Sequence, residues 1–391
     1  MKSRFKLVIS IAIIFLSFAG NQAYSQWAIM YSDADSLVLL GSDLIYNLEF
    51  AKAEQIFKDV QKKYPIHPAG YFLDAMIDWW IINLNLDDER RDGQFLKKID
   101  KVINKCDYIL DSIPTDINAL FFKGGAIGYR ARLYALRNKW IAAARDAQVA
   151  LDILTRCQIL APTNHDILLG TGIYNYFSQK FAEDYPIIKP LMAFAPRGDK
   201  RLGLFQLRSA ANYARYAKVE AEVVLLQVYY SYENDIYEAQ KIAEELHTKY
   251  PNNPYFHRYL GRIYVRMGYT TEFEKTWRDI FSRCSEKWYG YNNSTAREAI
   301  YYIGLALLTR NNFSEAEKYF KKAIEGSKIV DKEETGFLAF SYLKLGNIYD
   351  AMGNRNKAVQ SYNQVLKIKD YNDSHNQAKK FIQSPYKPNK N

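Results

Sequence analysis

The sequence repeats a two-helix pattern at a period of roughly 34 residues, and such self-similarity constrains the fold more than any other property, because each unit buries its apolar face only by stacking on the next. In 34–67, Leu37, Leu40, Gly41 and Leu44 mark one helix, and Ala53, Phe57, Val60 and Pro65 mark a second. The same internal offsets return at Ile300, Ile303, Gly304 and Leu307 before Ala316, Phe320 and Ala323. They return again at Tyr342, Leu345, Gly346 and Tyr349 before Ala358, Tyr362 and Val365. Val223, Leu226 and Tyr230 before Ala239, Ala243, Leu246 and Pro251 make a further copy in which Gln227 replaces the glycine. His257, Leu260, Gly261 and Tyr264 open the next. Two antiparallel helices cross closely only where Gly and Ala remove side-chain bulk, and the large residues fill the space beside them.

The pattern predicts an all-α fold: a right-handed superhelical solenoid of about eight antiparallel helical hairpins with a C-terminal capping helix near 373–383. Regular units fall at 34–67, 220–253, 254–287, 297–330 and 339–372. Extended hairpins fill 68–219, pairing 69–85 with 94–112, 117–137 with 139–159, and 165–178 with 199–216. One solenoid thus runs over 26–383, and 384–391 reads as a disordered tail. Composition agrees, since 19 Gly and 11 Pro in 391 residues are too few for a many-stranded sandwich or barrel.

On these residues the chain resembles tetratricopeptide-repeat (TPR) proteins from about residue 30 to the end, and the resemblance implies a concave groove whose lining positions hold partner peptides. A narrower stretch, Gly172-Ile173-Tyr174-Asn175-Tyr176, Pro186, Pro190, Gly198-Asp199-Lys200-Arg201, Gly203 and Leu207, is similar to the inclusion-clearance family of the fungal mitochondrial outer membrane and its animal relatives. That similarity covers about 165–260.

The N-terminus has the three-part layout of a secretory leader: Lys2, Arg4 and Lys6, an apolar run from Leu7 to Ala19, and small residues before a cleavage point after Ser25. At about 1.5 Å per residue the thirteen-residue run reaches roughly 20 Å, short of a hydrocarbon core of about 30 Å. The chain is therefore expected to be exported, to the periplasm or beyond. Without residues 1–25 it carries 50 Lys and Arg against 43 Asp and Glu, a net +7. Much of that charge lies in the tail at Lys379, Lys380, Lys387 and Lys390, and no concentrated stripe argues for nucleic acid. Cys106, Cys157 and Cys284 form no C-x-x-C pair, so neither a zinc nor a redox motif is encoded. They read as small buried hydrophobes, with a Cys106–Cys157 disulfide as the alternative.

Catalytic signatures are missing. His67, His165, His247, His257 and His375 are scattered with no metal-ligand spacing, and there is no Walker loop and no G-x-S-x-G. No cofactor, no metal and no catalytic residue is assigned. Arg258, Arg262 and Arg266, four residues apart, share one helix face at positions that line the groove under the resemblance. A planar guanidinium binds carboxylate through two parallel bonds, so these three would clamp an acidic side chain or a C-terminal carboxylate of a protein or peptide partner. Tyr232, Tyr255, Tyr301 and Asn347 occupy comparable positions on neighbouring hairpins. The alternative is a solvated face whose arginines pair with nearby acids.

Of the 32 tyrosines, Tyr264, Tyr349 and Tyr362 stand at positions that pack between helices. A second feature is the insert 179–198, where Ile187, Ile188, Leu191, Met192 and Phe194 lie among Pro186, Pro190 and Pro196. It is too apolar for a free loop and too proline-broken for one helix, so it either plugs the superhelix or anchors the chain to a partner or membrane surface. The reading overall is a non-enzymatic exported scaffold, with an envelope membrane factor and an unfamiliar enzyme as alternatives. Oligomeric state is not encoded. On the groove assignment, replacing the three arginines with alanine abolishes partner capture and leaves the thermal transition nearly unchanged.

Overall fold

In a computed structural model, residue 29 and residues 31–184 and 196–388 are described, and among them the chain forms seventeen α-helices and no strand. The leader 1–25 and the insert residues Ile187, Ile188, Leu191, Met192 and Phe194 lie outside the described residues. The helices follow as hairpins in chain order: α1 Ser32–Tyr46 and α2 Phe50–Lys63, α3 Ala69–Leu84 and α4 Asp92–Ser112, α5 Ile117–Leu136 and α6 Trp140–Leu160, α7 Ile167–Asp184 and α8 Lys200–Tyr213. Then come α9 Lys218–Val228 and α10 Ile236–Lys249, α11 Pro254–Met267 and α12 Thr270–Ser285, α13 Asn293–Thr309 and α14 Phe313–Val330, and α15 Gly336–Ala351 and α16 Arg355–Val365. A final helix, α17 Ser374–Gln383, packs on α16 and α15. No helix among the described residues is long and apolar enough to cross a membrane.

The chain divides into two compact units, one of Met1–Gly41, Gln55–Ala75 and Leu96–Lys218 and the other of Ser42–Glu54, Met76–Phe95 and Val219–Asn391, each as far as it is described. In the first, α5 packs on α6, α6 on α7 and α7 on α8. In the second, every helix from α10 to α17 packs on the next, which is a helical solenoid.

The helix crossings are set by size complementarity. A Cβ added at Gly346 would sit 2.3 Å from Tyr362 Cε1, and one at Gly41 would sit 2.3 Å from Phe57 Cε1. Both glycines precede their ring by sixteen residues, as Gly261 precedes the buried Trp277. Gln227 takes the glycine position in its hairpin, and the residue sixteen later is not a ring but the fully buried Ala243. The volume has changed sides.

Turns inside the hairpins use one left-handed residue. Asn138, Asn234, Gly268, Asn311 and Gly353 fill that place, residue types that tolerate positive φ, while Leu48 (φ 63°) holds it against its own side-chain sterics. Between hairpins, the carbonyl of a helix-stopping proline accepts from a cation of the next hairpin: Lys105 Nζ to Pro65 at 2.7 Å, Arg156 Nη2 to Pro114 at 2.8 Å, and Arg283 Nη1 to Pro251 at 2.7 Å. Each such bond ties the turn that follows one hairpin to a helix of the next.

Leu120, Leu154, Cys157, Ala161 and Ile167 cluster in the core of the first unit. Cys106 and Cys157 are buried free thiols, so the disulfide alternative is not realised, and burial pushes both up to about 12. Thiols held protonated in this way are inert packing groups. In the second unit the core runs from Phe273 and Trp277 through Phe320 to Tyr362 and Ala378.

The inverted size pair yields a test. Ala243→Phe, overpacked against Gln227, should lose about 1–3 kcal/mol of stability in a denaturant melt, and adding Gln227→Gly should recover much of it. A single variant as stable as the parent would show that size matching does not govern this crossing.

Candidate functional site

All seven groove residues expected from sequence fall within the second unit. Helix α11 begins cleanly: Asn253 caps it by accepting from Tyr255 N at 3.0 Å, and Pro254 opens the first turn. Its four-residue spacing does bring Arg258, Arg262 and Arg266 to one face. What meets that face is a carboxylate on α13. Arg258 donates to Glu298 Oε2 from Nε at 3.0 Å and Nη2 at 2.7 Å. Arg262 donates from Nη2 to the same oxygen at 2.8 Å and from Nε to Oε1. The Glu298 side chain is 1% exposed, whereas each of the two arginines is 25% exposed.

Burial alone would raise the Glu298 carboxyl, but the two guanidiniums outweigh it and hold the group down to about 2. The same carboxylate raises Arg262 above the ordinary guanidinium range against the effect of burial. Arg297, the residue before Glu298, turns to other partners, bonding Asp331 at 2.9 Å and lying 4.3 Å from the Phe337 ring centroid.

Arg266 is exposed and differs from the other two. Its Nη1 donates to the carbonyl of Tyr230, and its guanidinium carbon lies 3.7 Å from the Tyr230 ring centroid. That carbonyl belongs to a π-helical turn, Tyr229–Glu233, which continues α9 and ends on Asn234 in the left-handed region. Tyr232 rides on this turn at 36% exposed. Tyr255 is half-buried, accepts from Gln227 Nε2, and sits 5.1 Å from Tyr259, which in turn lies 5.5 Å from Tyr230. Two of the three guanidiniums therefore share one carboxylate, and the third, Arg266, stands apart from it beside a tyrosine cluster.

Two expected residues do not line this surface. Tyr301 is 8% exposed and packs edge-on to Tyr302, Phe320 and Phe337, so it is a core ring. Asn347 is 3% exposed and accepts from Tyr362 Oη at 3.0 Å, an interior hydrogen bond within its own hairpin. Both were expected at positions that line the groove, but neighbouring helices cover them. Sequence reading also missed Glu298, Tyr230, Tyr259 and the π-helical turn. Only the missing glycine at Gln227 signalled that this hairpin departs from the pattern.

The structure joins two histidines that are ten residues apart in sequence. His247 on α10 and His257 on α11 stack with ring centroids 4.4 Å apart and planes 21° apart. His257 Nδ1 is 3.0 Å from Tyr291 Oη. Burial, then the adjacent His247 and Arg283, push His257 down to about 2. Burial likewise lowers His247, so the 3.6 Å approach of His257 Nε2 to Asp279 joins a neutral ring to a carboxylate. Among the described residues no three of His, Cys, Asp and Glu gather where a metal ion could be held.

Comparison with known proteins bears on the C-terminal end of this unit. Residues 297–370 match the tetratricopeptide repeat family. That match covers the two hairpins α13 to α16, so the repeats read from sequence there are tetratricopeptide repeats, and it lies outside the 165–260 stretch of the narrower resemblance. No curated protein matches the chain. Among solved structures, a human IFIT1 dimer with PPP-AAAA is 11% identical, with 93% of this chain and 89% of that chain covered, at a TM-score of 0.40. A tetratricopeptide repeat protein from Parabacteroides merdae is 14% identical, with 90% of this chain and 98% of that chain covered, at a TM-score of 0.27. Scores this low bear on neither shape nor ligand.

Two outcomes follow. The substitution of all three arginines should lower the stability and not leave it unchanged, because removing Arg258 and Arg262 strands a buried carboxylate; conversely, Glu298→Gln should cost about 3 kcal/mol in a denaturant melt, since it leaves two half-buried guanidiniums unpaired. On acidification, His257 stays neutral in the fold but takes up a proton in the unfolded chain below about 6.5, and burial shifts His247 in the same direction. The unfolded chain then binds more protons, so stability is complete above that value and falls as pH drops from about 7. Glu298 adds loss in the same direction, between 4.5 and about 2. A thermal melting series from pH 7.5 to 4.5 should show this decline, and His257→Asn should flatten it. An unchanged slope in the variant would remove His257 as its source.

Proposed function

We propose that the chain is an exported, non-catalytic scaffold that binds a protein or peptide partner bearing an acidic group. Tetratricopeptide repeats at 297–370 support the scaffold reading, since stacked helical hairpins present extended surfaces for other chains. The leader-like layout of Lys2, Arg4, Lys6 and the run Leu7–Ala19 supports export. The observation that carries the choice of partner is the positive charge left where Arg258 and Arg262 share Glu298 and the neighbouring Arg266 is bonded to a carbonyl and not to a carboxylate. Glu298 fixes Arg258 and Arg262 in place, so these two build the surface beside which Arg266 stands. Arg266, exposed and braced on Tyr230, together with Tyr232 and Tyr255, supplies the outer contact. Tyrosine suits such a rim because it gives large contact area at small entropy cost.

The test uses residues whose loss leaves the Glu298 pairs intact. Mature wild-type protein and an Arg266→Ala/Tyr232→Ala variant are crosslinked in the native envelope and their partners compared by quantitative mass spectrometry. A partner recovered by the wild type should fall about tenfold or more with the variant, as expected when a charged hydrogen bond and an aromatic contact are both removed. Equal recovery by a folded variant would place the binding surface elsewhere.

A further inference from the structure

Helix α8 carries Lys200, Arg201 and Arg208 and no acidic side chain. It packs on α7 through Gly203, Gln206 and Leu207. At 3.6 residues per turn its opposite face presents Arg201, Phe205, Arg208 and Asn212, with Leu202 and Tyr213 along the edge, and all six are exposed. Phe205 is 66% exposed and Tyr213 70%, where a helix facing solvent ordinarily places polar groups.

The surface continues to the turn of the preceding hairpin. Lys200 N donates to Gln179 Oε1 at 2.7 Å, which seats the start of α8 against the end of α7. On α7 the Phe177 and Phe181 rings lie 5.3 Å apart, and Phe181 lies 6.3 Å from Trp140, the first residue of α6. Beside Trp140 stand Lys139 and Ile141, the latter 71% exposed, with Arg145 one turn later. Of the described acidic side chains nearby, Asp146 is buried, bonds Arg130 at 2.6 Å and lies 3.7 Å from Arg145. Asp199 caps α8 by accepting from the Arg201 and Leu202 amides, and Glu183 accepts from Gln179 at 2.8 Å. Those two exposed carboxylates meet five exposed cations, Lys139, Arg145, Arg197, Arg201 and Arg208, so the surface is positive.

Cations and apolar side chains alternate here from one helical turn to the next. A protein interface gathers its apolar groups into a core from which charge is depleted. Rings set among Lys and Arg suit a bilayer instead, where the rings reach headgroup depth and long basic side chains keep their charge at the phosphates. We propose that the outward face of α8 and the neighbouring α5–α6 turn form a docking surface for an anionic phospholipid bilayer. Phe205, Leu202, Trp140 and Ile141 enter the headgroup layer, and Arg201, Arg208 and Lys139 meet lipid phosphates. These residues belong to the first unit, whereas the partner-binding residues belong to the second, so a chain with both holds its partner at a membrane.

The test sediments mature protein with vesicles of equimolar phosphatidylglycerol and phosphatidylcholine and with vesicles of phosphatidylcholine alone. Wild type should bind the anionic vesicles about tenfold more tightly or better, a preference that shrinks as salt rises. Arg201→Gln/Arg208→Gln and Ile141→Gln/Phe205→Gln should each lose about tenfold in affinity for the anionic vesicles. All four positions are exposed, so both variants should melt with the wild type. As a readout of direct contact, lipid brominated on its acyl chains should quench the tryptophan fluorescence of the wild type more than that of Trp140→Phe. Equal vesicle affinity in the wild type and both double variants, or quenching that Trp140→Phe leaves unchanged, would overturn the proposal. Failure of the wild type to bind anionic vesicles would overturn it too, and self-association lost in Ile141→Gln/Phe205→Gln would then assign the face to a second copy of the chain.

Discussion

The helical hairpins hang on how closely two antiparallel helices approach where one of them has no side chain. The ring of Tyr362 occupies the volume a Cβ at Gly346 would need, and Phe57 does the same opposite Gly41. Dispersion contacts at that separation are individually weak and collectively large, and they vanish if the helices part by an ångström. The crossing therefore fixes the helix positions, and with them the residues that face the next hairpin. The hairpin of α9 and α10 satisfies the same constraint with the sizes reversed, Gln227 opposite Ala243. A polar side chain at the crossing position can reach outward, and Gln227 does so to Tyr255, beside the π-helical turn that offers its Tyr230 carbonyl to Arg266. The departure from the repeat and the charged surface thus coincide.

Electrostatics on that surface follows from desolvation. A lone carboxylate as buried as Glu298 would take up a proton, and lone guanidiniums facing an aromatic wall would be costly to hold. Bringing two cations to one anion resolves both problems at a single point and leaves the total charge positive. The pairing is structural before it is functional: it ties α11 to α13, whose registers are otherwise set by apolar packing alone. Arg266 contributes nothing to that tie, being bonded to a carbonyl and stacked on a ring at the edge. The same residue triad therefore divides into a structural pair and an accessible third member.

The helices and their pairing were legible because the signal is local: small and large residues at fixed offsets, proline after the second helix, Asn or Gly at the turn. The shared face of Arg258, Arg262 and Arg266 was legible for the same reason. Glu298 was not, since nothing within a helix's own sequence reports a carboxylate some forty residues away on the neighbouring one. Tyr301 and Asn347 show the limit from the other side. Both were expected to line the groove, but whether a face is covered depends on the neighbour, and Phe337 covers one while Tyr362 bonds the other. The stacked His247 and His257 were invisible as a pair because they sit on different helices, where antiparallel packing rather than spacing brings them together.

Positive charge along α11 and α13 is thus of two kinds, and the distinction decides which residues are available to a ligand. Cations already neutralised by Glu298 or Asp331 gain little from another anion, since the field they project is largely cancelled and their geometry is committed. Arg266, exposed and bonded to a carbonyl and a ring, keeps a charge that no carboxylate cancels and gains more. By that reasoning the basic residues most evident in the sequence, Arg258 and Arg262, build the surface, while Arg266 is the one left to read what binds it.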